Sequence, residues 1–373
     1  MKKIFTFLSF SLLCFSFYPL QAQEDSIKKQ KEINTIVEIL AAVNVEDSAY
    51  KSIATQAKSH YTEFNAAWEK LEEQKLSKMR IWRNQELEKI NLSTQNLFYP
   101  FSGPDFLNAY LLYPDCDNYL MFGLEKIGEL PKLNELKGVF LTNYLKNVRG
   151  AMSEIMSRNY FITKNMMTQV SAQLKGVLPI LSIFVKRFDN EILTIKKVFI
   201  EKNGKTTLTS LGYQSKFNLV TGLQIVFKNK QKNKIQTLYY FSTDVQDLAM
   251  ANKGELLKFI KSFPEKSAFI KSASYLLHGG NFSVMRNFIL SDTKSVVQDD
   301  TGIPYKFYND QNWYVQLFGK YARPVKDFNY GYQTDLANRF NVDKTIKPID
   351  FTFGYHWWTD KSSIMKCVRP EKK

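Results

Sequence analysis

The chain has 373 residues, 44% of them hydrophobic and 14% aromatic, which excludes global disorder and supplies apolar mass for one large core or two ordinary ones. Its 51 Lys and Arg against 36 Asp and Glu give a formal charge of +15, a balance that favours anionic partners such as a glycan or a lipid surface. Lys far outnumbers Arg, the residue suited to bidentate phosphate contacts, and no long basic block occurs, so nucleic acid is disfavoured as a partner.

In chain order, residues 1–22 have the parts of a secretory signal: Lys2 and Lys3, an apolar stretch from Ile4 to about Phe17, and Leu20-Gln21-Ala22 before a polar chain. The expectation is an exported protein, periplasmic or extracellular, whose mature part starts near Gln23. Cys14 follows two leucines inside the apolar stretch and so does not read as an acylation site. Without Lys2 and Lys3 the charge is +13, from 49 basic and 36 acidic residues. No later apolar run approaches the roughly 20 residues of a transmembrane helix, so none is expected in the mature chain.

Residues 23–92 read as a helical arm or hairpin. Ile33, Ile36, Val37 and Leu40, then Ile53, Ala57, Tyr61, Phe64, Trp68 and Leu71, recur at three- and four-residue spacing with charges between them. Such an amphipathic pair packs either on the rest of the protein or on a partner, for instance an envelope protein. Residues 93–373 read as one α+β domain, with a subdivision near 264 left open. A helical region is expected from about Leu133 to Leu174, and "VLPILSIFV" (Val177 to Val185) as a buried strand or helix. An antiparallel strand meander is expected from Glu191 to Ser242, with turns at Asn203-Gly204 and within "KNKQKNK" (Lys228 to Lys234). Helix is expected again from Asn252 to Leu290, then strands and turns, ending in an aromatic strand at "IDFTFGYHWW". Helices and strands come in blocks, which favours α+β over a doubly wound sheet.

Four residues are candidates for acid–base chemistry: Asp105, Asp299, Asp300 and His278. Ser102-Gly103-Pro104-Asp105 precedes an apolar run and has the form of a capping box, with Ser102 as the cap; the alternative is a loop whose carboxylates meet a ligand. Asp299 and Asp300 follow a strand in "QDDTGIP", where carboxylates ligate a hard cation, serve as a general base or are plain turn residues. His278 ends "ASYLLHGG", which fits a helix C-terminus with Gly279 in the left-handed region, or a general base beside a carboxylate. His356, Trp357 and Trp358 are candidates for ligand binding, since paired indoles can stack on sugar rings. For Cys116 and Cys367 a disulfide closing about 250 residues and two unpaired thiols are both open. No metal-ligand spacing and no cofactor fingerprint occurs in the sequence, so neither a metal nor a cofactor is expected.

"YPFSGPDF" (Tyr99 to Phe106), "QDDTGIP" (Gln298 to Pro304) and "WYVQLFGKY" (Trp313 to Tyr321) together resemble a group of uncharacterised exported bacterial proteins. The resemblance covers roughly Phe98 to Gln333 and implies export to the cell envelope, without an activity or a catalytic residue. The function expected is therefore a binding or assembly component for a protein or an anionic polymer, leaning away from an enzyme. The alternative is a hydrolase of an envelope polysaccharide or related polymer using Asp and His groups.

Overall fold

The computed structural model describes residues 17–158, 160, 174–308 and 312–370. Ten strands form one mixed sheet: β1 (Asn96–Tyr99), β2 (Asn118–Gly123), β3 (Asn190–Ile200), β4 (Thr206–Thr209), β5 (Val220–Asn229), β6 (Lys234–Ser242), β7 (Lys266–Ile270), β8 (Ser295–Gln298), β9 (Tyr314–Gly319) and β10 (Ser363–Val368). Their spatial order is β4-β3-β5-β6-β2-β1-β7-β8-β10-β9. The five central strands, β6 to β8, run parallel, and the flanking strands pair antiparallel. The fold is α+β, and its antiparallel meander is the β3 to β6 flank.

Helices cover both faces. On one lie α1 (Phe17–Leu40), α2 (Lys51–Gln56), α3 (Lys58–Leu71), α4 (Ser77–Glu86), α5 (Glu88–Ser93), α6 (Phe106–Leu112), α7 (Gly138–Arg158) and α8 (Leu178–Arg187), whose apolar residues share one core with Tyr99, Tyr119 and Phe269. On the other lie α9 (Asp247–Met250), α10 (Gly254–Lys261), α11 (Ser283–Asp292) and α12 (Thr334–Val342), packed with Phe98, Leu120 and Ala268. Alternation along each strand splits the two sets, as residue parity in β1 shows.

The apolar stripe of the N-terminal helices is spent inside this first core: Val37, Leu40, Phe64 and Leu71 are buried there, and α1 contacts α8 and β3. Asn34 seals the junction, its amide donating to the Ile192 carbonyl at 2.7 Å and accepting from the Ile192 amide at 3.0 Å. The cleavage position expected near Gln23 falls within α1; residues 1–16 lie outside the described part, as do 161–173 of the second expected helical region. Among the described residues no helix is long and apolar enough to cross a membrane.

Two local expectations are corrected. Lys266–Ile270, expected as helix, is strand β7, buried at every position. A parallel strand covered on both faces has no polar face to alternate with, so its sequence carries no period. The aromatic strand expected at "IDFTFGYHWW" is irregular chain with a single 3₁₀ turn at Gly354–His356, where Gly354 holds φ +66°.

Candidate active site

The chain leaves β1 through α6 toward β2, whereas from β7 it passes through α11 to β8 on the opposite side. Neighbouring strands whose connections diverge open a crevice at their carboxyl ends, the usual ligand position in an open parallel sheet. The segments following β1, β2, β6, β7 and β8 all converge here.

Asp105 follows β1. It caps α6 by accepting from the Asn108 amide at 3.1 Å, and its other oxygen accepts from the Tyr99 hydroxyl at 3.1 Å and the Lys271 ammonium at 2.8 Å. The helix therefore starts three residues later than a Ser102 cap would place it. Ser102 is instead tied to β2, its hydroxyl accepting from the Phe122 amide at 3.1 Å and lying 3.0 Å from the Phe122 carbonyl.

Asp299 and Asp300 follow β8. Asp299 accepts from the Ser272 amide at 2.8 Å with one oxygen and from the Thr301 amide at 3.0 Å and hydroxyl at 2.5 Å with the other. Thr301 in turn accepts from the Ala273 amide at 2.7 Å. Asp300 accepts from the Tyr275 hydroxyl at 2.6 Å. Burial raises both carboxyls above the ordinary range, and the adjacent Asp300 charge raises Asp299 further. These bonds hold a strained loop. Ser272, Ser274 and Tyr275 have φ of 53°, 51° and 57°, three of the eight non-glycine residues in the left-handed region among those described.

His278 stands in a 3₁₀ turn (Leu276–His278), and the expected left-handed Gly279 cap is corrected: its φ is −83°. The His278 ring meets the Asp300 main-chain carbonyl, and burial lowers its pKa to about 4, so the ring is neutral near pH 7. Sequence thus identified four groups that the fold does gather at one end of the sheet. None of the three aspartates, however, lines the open space.

That space is a cavity of about 220 Å³ walled by Phe101, Gly103, Glu125, Val245, Ser272 and Ser274, among others. Two carboxyls line it: Glu125, only 3% exposed, accepts from the Tyr240 hydroxyl at 3.0 Å, whereas Asp244 accepts from the Gln246 amide at 2.9 Å. Burial raises the Glu125 pKa above the ordinary carboxyl range. Two glycines make room for Glu125: a Cβ at Gly123 would come within 2.5 Å of a Glu125 oxygen, and Gly103, at φ +49°, passes close to the same carboxyl. On the same lining the Ser272 hydroxyl is buried and, among the described residues, has no hydrogen-bond partner. Sequence reading missed Glu125, Lys271 and the tyrosines 99, 240 and 275. The available signal was Gly-Leu-Glu directly after an apolar strand, where loops carry reactive groups.

His356, Trp357 and Trp358 do not line this cavity. The His356 ring is half-buried and its pKa lowered by burial, while Trp358 is 57% exposed and edge-on to Trp357 at 5.5 Å. Cys116 and Cys367 are both free and buried in cores on opposite faces of the sheet, so the disulfide is not made. Among the described residues no three His, Cys, Asp or Glu are placed to hold a metal ion. No family model, no curated protein and no solved structure matches the chain.

Proposed function

We propose that the protein is an exported envelope hydrolase whose reacting centre is the cavity at the carboxyl ends of β1, β2, β6 and β7, with Glu125 as its proton donor. The supporting observation is a buried carboxyl of raised pKa lining a concave site at the divergence of the sheet. A carboxyl whose pKa burial raises holds its proton more readily than an ordinary one and can deliver it to the leaving oxygen of a glycosidic or ester bond. Tyr240 fixes its orientation. Asp299, Asp300 and Thr301 are positioning residues that hold the Ser272–Tyr275 wall, and the Asp105–Lys271 pair anchors the β1 and β7 ends beneath it.

Assembly through the helical arm is the weaker reading, because the α1 part of the apolar stripe already packs on α8 and β3 and the α3 part on α7. The test is turnover of a panel of envelope glycans and chromogenic glycosides and esters by the intact protein and by Glu125→Gln. Loss of about 10²- to 10⁴-fold in turnover with an unchanged melting temperature is expected. Equal turnover by the variant would remove Glu125 from the chemistry. Saturable glycan binding without any turnover would make the protein a binding component instead.

A further inference from the structure

A second site lies on the helical face. Between α3 and α4 the helix continues through a five-residue π-helical turn, Glu72–Leu76. Such a turn inserts one extra residue and redirects the side chains around it, a distortion frequent at functional sites. Here it turns Lys75 inward, to 9% exposure. An ammonium has three donors, yet among the described residues its one hydrogen-bond acceptor is the Ser157 carbonyl, at 3.3 Å, and no carboxylate pairs with it. A buried cation with so few partners is costly, and burial together with the neighbouring Lys271 charge lowers its pKa to about 8.

Lys75 lines a cavity of about 460 Å³ whose walls include Phe64, Leu71, Met156 and Trp357. Arg149 reaches the same space but is engaged by Glu63 at 3.0 Å. The site therefore presents apolar walls and, among the described residues, one buried ammonium without a carboxylate partner, while Lys70 and Glu63 on the same lining are exposed to water. Its volume lies in the range of small-molecule pockets.

We propose that this cavity binds a monoanionic amphiphile, the carboxylate of a medium-length acyl chain, with the head group on Lys75 and the chain along Phe64, Leu71 and Met156. A single buried ammonium suits one negative charge, and the apolar lining selects a hydrocarbon body over a sugar or a bare phosphate. The site is independent of the Glu125 cavity, and its test reads binding, so it stands or falls separately from the proposed hydrolysis.

The experiment is calorimetric titration of the intact protein at pH 7 with octanoate, with 1-octanol and with acetate, repeated on Lys75→Met. Octanoate is expected to bind at least tenfold more tightly than either comparison compound, and Lys75→Met to lose at least tenfold for octanoate while keeping its affinity for octanol. Equal affinity for octanoate and octanol, undiminished binding by Lys75→Met, or no saturable heat with octanoate would each overturn the proposal. Titration of the Lys75 ammonium by NMR in the unaltered protein needs no variant. Its pKa rises when octanoate saturates the site, and a pKa that stays in place would overturn the proposal equally.

Discussion

The Lys271 ammonium lies 2.8 Å from the Asp105 carboxylate with both side chains shut off from water, joining the segment after β7 to the cap of α6. Tyr99 donates to the same carboxylate oxygen, so two neighbouring parallel strands and a helix start meet at one group. Removing one member leaves the other charge buried and unmatched. Lys271→Met is expected to destabilise the protein by about 3–5 kcal/mol, read from urea unfolding midpoints at constant slope. A loss below about 1 kcal/mol would mean that the pair is open to water.

Gly123→Ala tests the room made for Glu125. The added Cβ would fall 2.5 Å from a Glu125 oxygen and 2.6 Å from the Tyr240 hydroxyl, both buried. A cost of about 1–3 kcal/mol is expected, typical of overpacking. Gly150→Ala, at an open helical position, is expected to be neutral or slightly stabilising, both variants being read from urea unfolding midpoints.

Histidine burial gives a signed pH dependence. His60 on α3 is held against the end of α1, its Nε2 3.0 Å from the Leu40 carbonyl, and burial lowers its pKa to about 4. The unfolded chain protonates this ring near pH 6.5 and the folded chain only near pH 4, so between those values the unfolded state binds more protons. Stability from His60 is full above pH 6.5 and is lost as pH falls toward 4, by about 3 kcal/mol. His278 acts in the same direction. Glu125, Asp299 and Asp300 oppose both, because raised carboxyls favour the folded state toward acid. The isolating measurement is the stability difference between wild type and His60→Gln across pH 4–7. Parallel curves would show that His60 is not the group that titrates.

Thiol counting tests the core assignment. Cys116 and Cys367 are buried, and burial pushes both thiols up, so neither is expected to react with a thiol reagent in the native state. Denatured without reductant, both are expected to react. Their failure to do so would mean a disulfide across the sheet.

Periodicity made the N-terminal helices and the β3 to β6 meander legible, because each has one face against a core and one nearer water. It failed at Lys266–Ile270, where a strand buried on both faces shows no alternation. The Asp105, Asp299 and Asp300 positions were legible as carboxylates beside strand ends and turns. Their duties were not, since whether a carboxyl pairs with a lysine or holds a loop depends on segments outside its own stretch: Lys271 for Asp105, and Ser272, 27 positions before it, for Asp299.

The amino-acid order by itself determined the local elements, the blocks of helix and strand and the residues able to carry protons. Tertiary structure alone decided that the central strands run parallel, that β1 and β7 lie side by side, and that Glu125 rather than Asp105, Asp299 or Asp300 faces the cavity. The physical reason is that hydrogen-bond register and burial are set between distant segments. A carboxyl's chemistry follows from the water and partners that the finished fold leaves around it.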